Sequence, residues 1–120
     1  MDCIFCKIVN GEIPCYRVYE DDIVLAFLDI NPSSNGHTLI IPKKHYKDIT
    51  DIDNDTVSHI FDVARIIKKK LEDKLGIDGL TLIQNNGDVQ EVKHFHLHLR
   101  PYYKNNKLES VEEIHKKIES

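Results

Sequence analysis

The hydrophobic positions of this chain follow two periods, and the changes between them mark its elements. Residues 16–20 (YRVYE) and 23–29 (IVLAFLD) are rich in β-branched and aromatic side chains, with Asp21-Asp22 between them. They predict the two strands of a hairpin. NPSSNG at 31–36 is a dense turn signal, and HTLIIP at 37–42 follows as a buried strand ended by Pro42. The period then changes: Val57, Ile60, Phe61, Ala64, Ile67, Leu71 and Leu75 recur at helical spacing over residues 56–75, with Gly76 as the stop signal. LTLIQN at 80–85 returns to a strand, Asn86-Gly87 marks a turn, and residues 94–100 (HFHLHLR) form the last clear strand. Val111, Ile114 and Ile118 predict a short amphipathic helix near the C-terminus.

The order is strands, helix, strands, helix, with short connections between several of the strands. That favours an α+β domain, an antiparallel sheet of about five strands, over a doubly wound α/β sheet. One long helix covers only one face of such a sheet. The other face is therefore expected to be wet or to be a site.

Composition narrows the class. With 120 residues and 41% hydrophobic content, the chain is read as one domain over residues 1–120 with a modest core. A formal charge of −4 gives no basic footprint for nucleic acid, and Lys68-Lys69-Lys70 reads as a solvated helix face. An acidic protein can still hold one nucleotide, because a small anion needs only local positive dipoles. No apolar run is long enough to span a membrane, and MDCIFCKIVNGEIP lacks the features of a signal peptide. The expected location is the cytoplasm. The three cysteines, Cys3, Cys6 and Cys15, are odd in number and do not suggest a disulfide framework. Cys3-x-x-Cys6 at the extreme N-terminus fits half a metal site better than a redox motif, and a pair of small buried thiols is an equal alternative.

The strongest chemical signal is the last strand. Side chains in a strand alternate between faces, so His94, His96, His98 and Arg100 share one face while Phe95, Leu97 and Leu99 share the other. The apolar face belongs against the helix. Neighbouring imidazoles cannot all be protonated cheaply, so such a row becomes favourable when an anion or a metal ion sits on it. A solvated polar face is the plainer reading. Position weighs against it: strand 37–42 is a plausible neighbour, and with His37 and His45 the row collects up to five imidazoles.

HFHLHLRP resembles the H-φ-H-φ-H-φ-φ signature of the histidine triad (HIT) superfamily, where φ is apolar. CIFCKIVNGEIP, YEDDIVLAFLDINP, GHTLIIPKKH, NNG and QEVKHFHLH are similar, in the same order, to segments of its Hint-like branch. The resemblance implies the HIT-like fold and a hydrolase or transferase acting on a purine nucleoside phosphate derivative. It implies His96 as the nucleophile, His98 on the phosphate and its developing charge, and His37 completing the catalytic pocket. It assigns Gln90 and Asn85 to the phosphate and its surroundings and Asp29 to the ribose hydroxyls. Ile4, Phe5, Ile8 and Ile13 would form the slot for the base; for Ile8 and Ile13 ordinary core packing is an equal reading. It also implies a structural zinc held by Cys3, Cys6, His45 and His94, and a homodimer. His59 and His115 are read as exposed polar residues and Cys15 as a spare thiol.

The sequence departs from the pattern in three places. The last φ is Arg100; Glu91 stands where the family usually has Ser or Thr; and the loop Gly87–Gln90 is short and lacks the family's glycines before Gln90. These bear on substrate preference and rate. Beside a phosphoramidate-type hydrolase, the sequence is compatible with a dinucleoside polyphosphate hydrolase or phosphorylase, or with a nucleotide-binding regulatory module of little turnover.

Overall fold

The computed structural model describes residues 3–120. Its elements are α1 (Ile4–Val9), β1 (Arg17–Glu20), β2 (Val24–Leu28), β3 (Thr38–Pro42), α2 (Asn54–Leu75), β4 (Gly79–Gln84), β5 (Leu97–Tyr102) and α3 (Val111–Glu119), with a short 3₁₀ turn at Gly87–Val89. The strands form one five-stranded antiparallel sheet in the order β1-β2-β3-β5-β4. This is the expected α+β architecture.

Local chemistry explains the long helix. The Asp53 side chain accepts the Thr56 N–H at the N-cap, and Gly76 ends the helix in the left-handed region at φ 63°. Ile60, Val63, Ala64, Ile67 and Leu71 give α2 one buried stripe. The turn before β3 needs a glycine for two reasons. Gly36 has φ +88°, and a Cβ there would meet Leu75 Cδ1 at 2.8 Å.

Alternation divides the sheet into two faces. Val24, Ala26, Leu28, Ile40, Leu97 and Leu99 pack with α2 and with Ile114 and Ile118 of α3 in the larger apolar cluster. Leu25, Phe27, Leu39 and Ile41 point the other way and pack with Cys3 and Phe5. The second face is thus neither wholly wet nor wholly a site, since α1 covers part of it. The sequence pattern does not predict α1. Six residues are too few to show a helical period, and so short a helix depends on its tertiary contacts and on Cys3, whose Sγ accepts the Cys6 N–H at 3.3 Å.

The last strand also differs from its expected bounds. It begins at Leu97, so His94 and His96 precede the ladder. There the Phe95 N–H donates to the Tyr46 carbonyl at 2.7 Å, outside the sheet. The in-and-out alternation nevertheless persists: Phe95 joins the larger apolar cluster, while His94 and His96 meet Phe5 on the opposite side.

Candidate active site and metal cluster

β3 and β5 are hydrogen-bonded neighbours, with Leu39 opposite His98 and Thr38 opposite Leu99. This register brings His37, immediately before β3, against His98. Their Nε2 and Nδ1 atoms lie 2.9 Å apart. The NPSSNG turn then fixes the tautomers. The Ser33 backbone N–H donates to His37 Nδ1 at 3.1 Å, so that nitrogen is an acceptor and the hydrogen of neutral His37 sits on Nε2. His37 Nε2–H therefore donates to His98 Nδ1, and His98 keeps its own hydrogen on Nε2. Asp29 Oδ2, 3.7 Å from His37 Nε2, is too distant to take that bond.

His96 has the opposite tautomer. Its Nδ1 lies 2.8 Å from the His94 carbonyl, which can only accept. The hydrogen is on Nδ1, and Nε2 carries a free lone pair. The ring is buried edge-to-face against Phe5, with centroids 5.1 Å apart and planes at 88°. It meets the His98 ring in a second T-shaped contact at 4.9 Å.

Burial keeps these imidazoles neutral. It is the largest cause of the lowered pKa of His96, offset in part by the hydrogen bond to the His94 carbonyl and the charges of Asp29 and Glu91. Burial, then the neighbouring His96, His37 and Arg100, hold His98 down to about 4. His37 is lowered by burial against the pull of Asp29. At neutral pH the group is a lone pair beside an N–H donor, the pairing that nucleophilic catalysis at phosphorus needs.

These groups open on a cavity of about 480 Å³, within the range of small-ligand sites. His37, His96, His98, Asp29, Asn85, Ile4, Phe5, Ile8 and Ile13 all line it. Ile8 also packs against the smaller apolar cluster, so both readings of that residue hold. Asp29 Oδ1 is engaged by the Asn31 N–H at 2.8 Å. Gln90 is set apart from the cavity: its side chain is buried, its Nε2 donates to the Lys47 carbonyl at 2.7 Å, and its Oε1 has no partner among the described residues. Glu91 and Arg100 do line the cavity.

At the other end of the histidine segment lies a second constellation. His94 is fully buried and its Nε2–H donates to the Pro42 carbonyl at 2.8 Å, which leaves Nδ1 as a lone pair. That Nδ1 lies 3.3 Å from Cys3 Sγ, 3.5 Å from Cys6 Sγ and 3.1 Å from His45 Nδ1; Cys6 Sγ is 3.3 Å from His45 Nδ1. A tetrahedral shell with bonds of about 2.0–2.3 Å has edges of roughly 3.3–3.8 Å, close to this arrangement. The four residues are the Cys/His donor set within 4.8 Å of one another. Burial, then the neighbouring Cys3, push the Cys6 thiol up to about 11, so a Cys6 thiolate here calls for a cation. The donor chemistry fits a closed metal shell.

Several residues stand differently from their sequence reading. His59 is half-buried and its Nε2 donates to Asp21 Oδ2 at 2.7 Å. Asp21 also accepts from Tyr19 Oη and from the Ile23 and Val24 N–H groups, so His59 ties α2 to the first hairpin. His115 donates to the Arg17 carbonyl at 2.9 Å and packs on Tyr16. Cys15 lines the cavity wall, where burial raises its pKa. Ser33, whose N–H fixes the His37 tautomer, is a cavity-lining residue that sequence reading missed. The available signal was the NPSSNG turn immediately before His37.

Comparison with known proteins agrees with this geometry. The family model described as HIT domain matches residues 10–105. An uncharacterised HIT-like protein of Methanocaldococcus jannaschii is 51% identical over 105 residues, covering 84% of this chain and 79% of that protein. The adenosine 5'-monophosphoramidase of Schizosaccharomyces pombe is 41% identical over 103 residues, covering 84% of this chain and 74% of the relative. The crystal structure of a zinc-bound histidine triad family protein from Mycobacterium smegmatis superposes with a TM-score of 0.90 at 38% identity, covering 98% of this chain and 91% of that one. The matched region holds both constellations except Cys3, Cys6 and the cavity-wall residues Ile4, Phe5 and Ile8, and on these grounds the chain belongs to the HIT family, a family with nucleotide hydrolases among its members.

Proposed function

We propose that the chain cleaves purine nucleoside phosphoramidates, or related phosphate derivatives, at the α-phosphate through a nucleotidyl-His96 intermediate. The observation that carries this reading is the tautomer of His96, whose free Nε2 lone pair belongs to the cavity-lining ring. The lone pair attacks phosphorus, the P–N bond breaks as the N–P bond forms, and the amine leaves with a proton drawn from solvent. Glu91 lines the same cavity, where its side chain can pass that proton from solvent to the departing nitrogen. Water then attacks the phosphorylated imidazole and releases the nucleoside monophosphate. Splitting one displacement into two lowers each barrier. His98, hydrogen on Nε2, donates to a phosphoryl oxygen, and His37 and Ser33 hold it in that tautomer. Asp29 suits the ribose hydroxyls, and the Ile4, Phe5, Ile8 and Ile13 wall suits a base.

Zinc held by Cys3, Cys6, His45 and His94 has a structural role in this reading. It cross-links α1 to the segment entering β5. A cytoplasmic location suits two thiols that must stay reduced. A homodimer is supported by β4, an edge strand that among the described residues pairs with β5 alone and exposes Leu82.

Product analysis on adenosine and guanosine phosphoramidates and on dinucleoside polyphosphates tests the activity. Release of nucleoside monophosphate by wild type but not by His96→Ala is expected. Tight binding of every substrate without turnover would leave a nucleotide-binding module in place of an enzyme.

A further inference from the structure

Arg100 occupies the signature position where an apolar residue is usual, and its surroundings give that charge a use. β5 alternation places it on the face of His98, with Thr81 opposite it on β4. It lines the cavity of the triad and also an adjoining cleft of about 530 Å³, and Ser33 is the other residue common to both. Beyond Arg100 the cleft is walled by Thr81, Tyr103, Lys104 and Asn106 among others, with two cations and no carboxylate in its lining. That is a local positive surface on a chain of net charge −4. Among the described residues Arg100 forms no ion pair, and its buried Nε has no hydrogen-bond partner. A guanidinium so placed is an unspent donor fork, the geometry that recognises planar or tetrahedral oxyanions. Its charge already reaches the triad, where it adds to burial in lowering His37 and His98.

Resting on the proposed nucleotidyl transfer to His96, we infer that Arg100, assisted by Lys104, forms a leaving-group subsite that selects nucleotides whose departing part is an oxyanion such as sulfate or phosphate. The nucleoside side of the substrate uses the apolar wall and Asp29; the departing side extends past His98 into the cationic cleft. There the charge accumulating on the leaving oxygen as its bond to phosphorus breaks meets a fixed positive group. An uncharged amine leaving group has no such partner.

The test compares adenosine 5'-phosphosulfate with adenosine 5'-phosphoramidate, which share the transferred adenylyl group. In wild type, Arg100→Gln, Arg100→Lys and Lys104→Ala, the quantity read is the ratio of the two kcat/KM values. Arg100→Gln is expected to lower that ratio about tenfold to hundredfold, the range for losing one charge-assisted contact. Arg100→Lys should recover part of it, because charge returns without the fork. Lys104→Ala should lower it by less, and the wild-type ratio should shrink as ionic strength rises. A ratio unchanged in Arg100→Gln overturns the subsite, whether or not both rates fall. If wild type turns over neither compound, the activity reading fails instead, and calorimetric affinities decide the subsite. Adenosine 5'-phosphosulfate losing no more affinity than AMP in Arg100→Gln would then refute it.

Discussion

His94 and His96 lie two residues apart, are both buried, and touch the same Phe5 ring, yet their free nitrogens face different surroundings. His94 spends Nε2–H on the Pro42 carbonyl and turns Nδ1 toward two thiols and His45. His96 spends Nδ1–H on the His94 carbonyl and keeps Nε2 free. One hydrogen bond per ring thus decides which nitrogen carries the lone pair, and in the function proposed above that lone pair meets a metal at His94 and phosphorus at His96. Identical side chains on one face of one segment are assigned by the backbone carbonyls they meet.

The largest effect that can break this comparison is at His96. His96→Ala should reduce turnover on the order of 10⁴-fold or more while nucleotide binding persists. Intact-mass measurement after rapid quench should find the nucleotidyl adduct on His96 in wild type. An adduct mapped to His94 or His98 would reverse the assignment. Next comes the metal half. Cys3→Ser and His45→Ala should lose bound zinc by elemental analysis and lower Tm by about 10 °C, with a smaller effect on the chemical step. Metal content equal to wild type in both variants would remove the zinc reading.

The pH dependence follows from the shared burial. Both His98 and His94 are held down to about 4 from an ordinary value near 6.5, and His96 is lowered in the same direction. The folded state therefore favours the neutral rings. Stability is fully present above about 6.5, the unfolded value, and declines as pH falls from there toward about 4. Activity should likewise persist below pH 6.5, since the nucleophile stays unprotonated. A kcat/KM profile that falls with an apparent pKa of about 6.5 or higher would show imidazoles as exposed as free histidine. The smallest expected effect is at the residue shared by both halves. Phe5→Leu keeps most of the apolar volume but loses the edge contacts to His94 and His96. It should raise KM a few-fold and lower stability by about 1 kcal/mol, without changing the site of the adduct. A loss of turnover as large as that of His96→Ala would mean that the ring orients the nucleophile.

What the sequence determined by itself was periodic or local. Strand alternation put His94, His96, His98 and Arg100 on one face, helical spacing set α2 almost to its ends, and Gly76 stopped it. These depend on neighbours in the chain, whose geometry is fixed by the backbone period. The motif resemblance added the grouping of Cys3, Cys6, His45 and His94, which the folded chain brings within ligand range. Tertiary structure decided the rest. α1 forms because the second sheet face needs cover, and six residues carry no period of their own. His37 meets His98 through the β3–β5 register, a pairing of strands far apart in sequence. Gln90 turns to the Lys47 carbonyl and His59 to Asp21 because hydrogen-bond partners are chosen in space. Above all, the protonated nitrogen on His37, His94, His96 and His98 is set by a carbonyl or N–H that folding brings into contact, and no residue type or spacing encodes that choice.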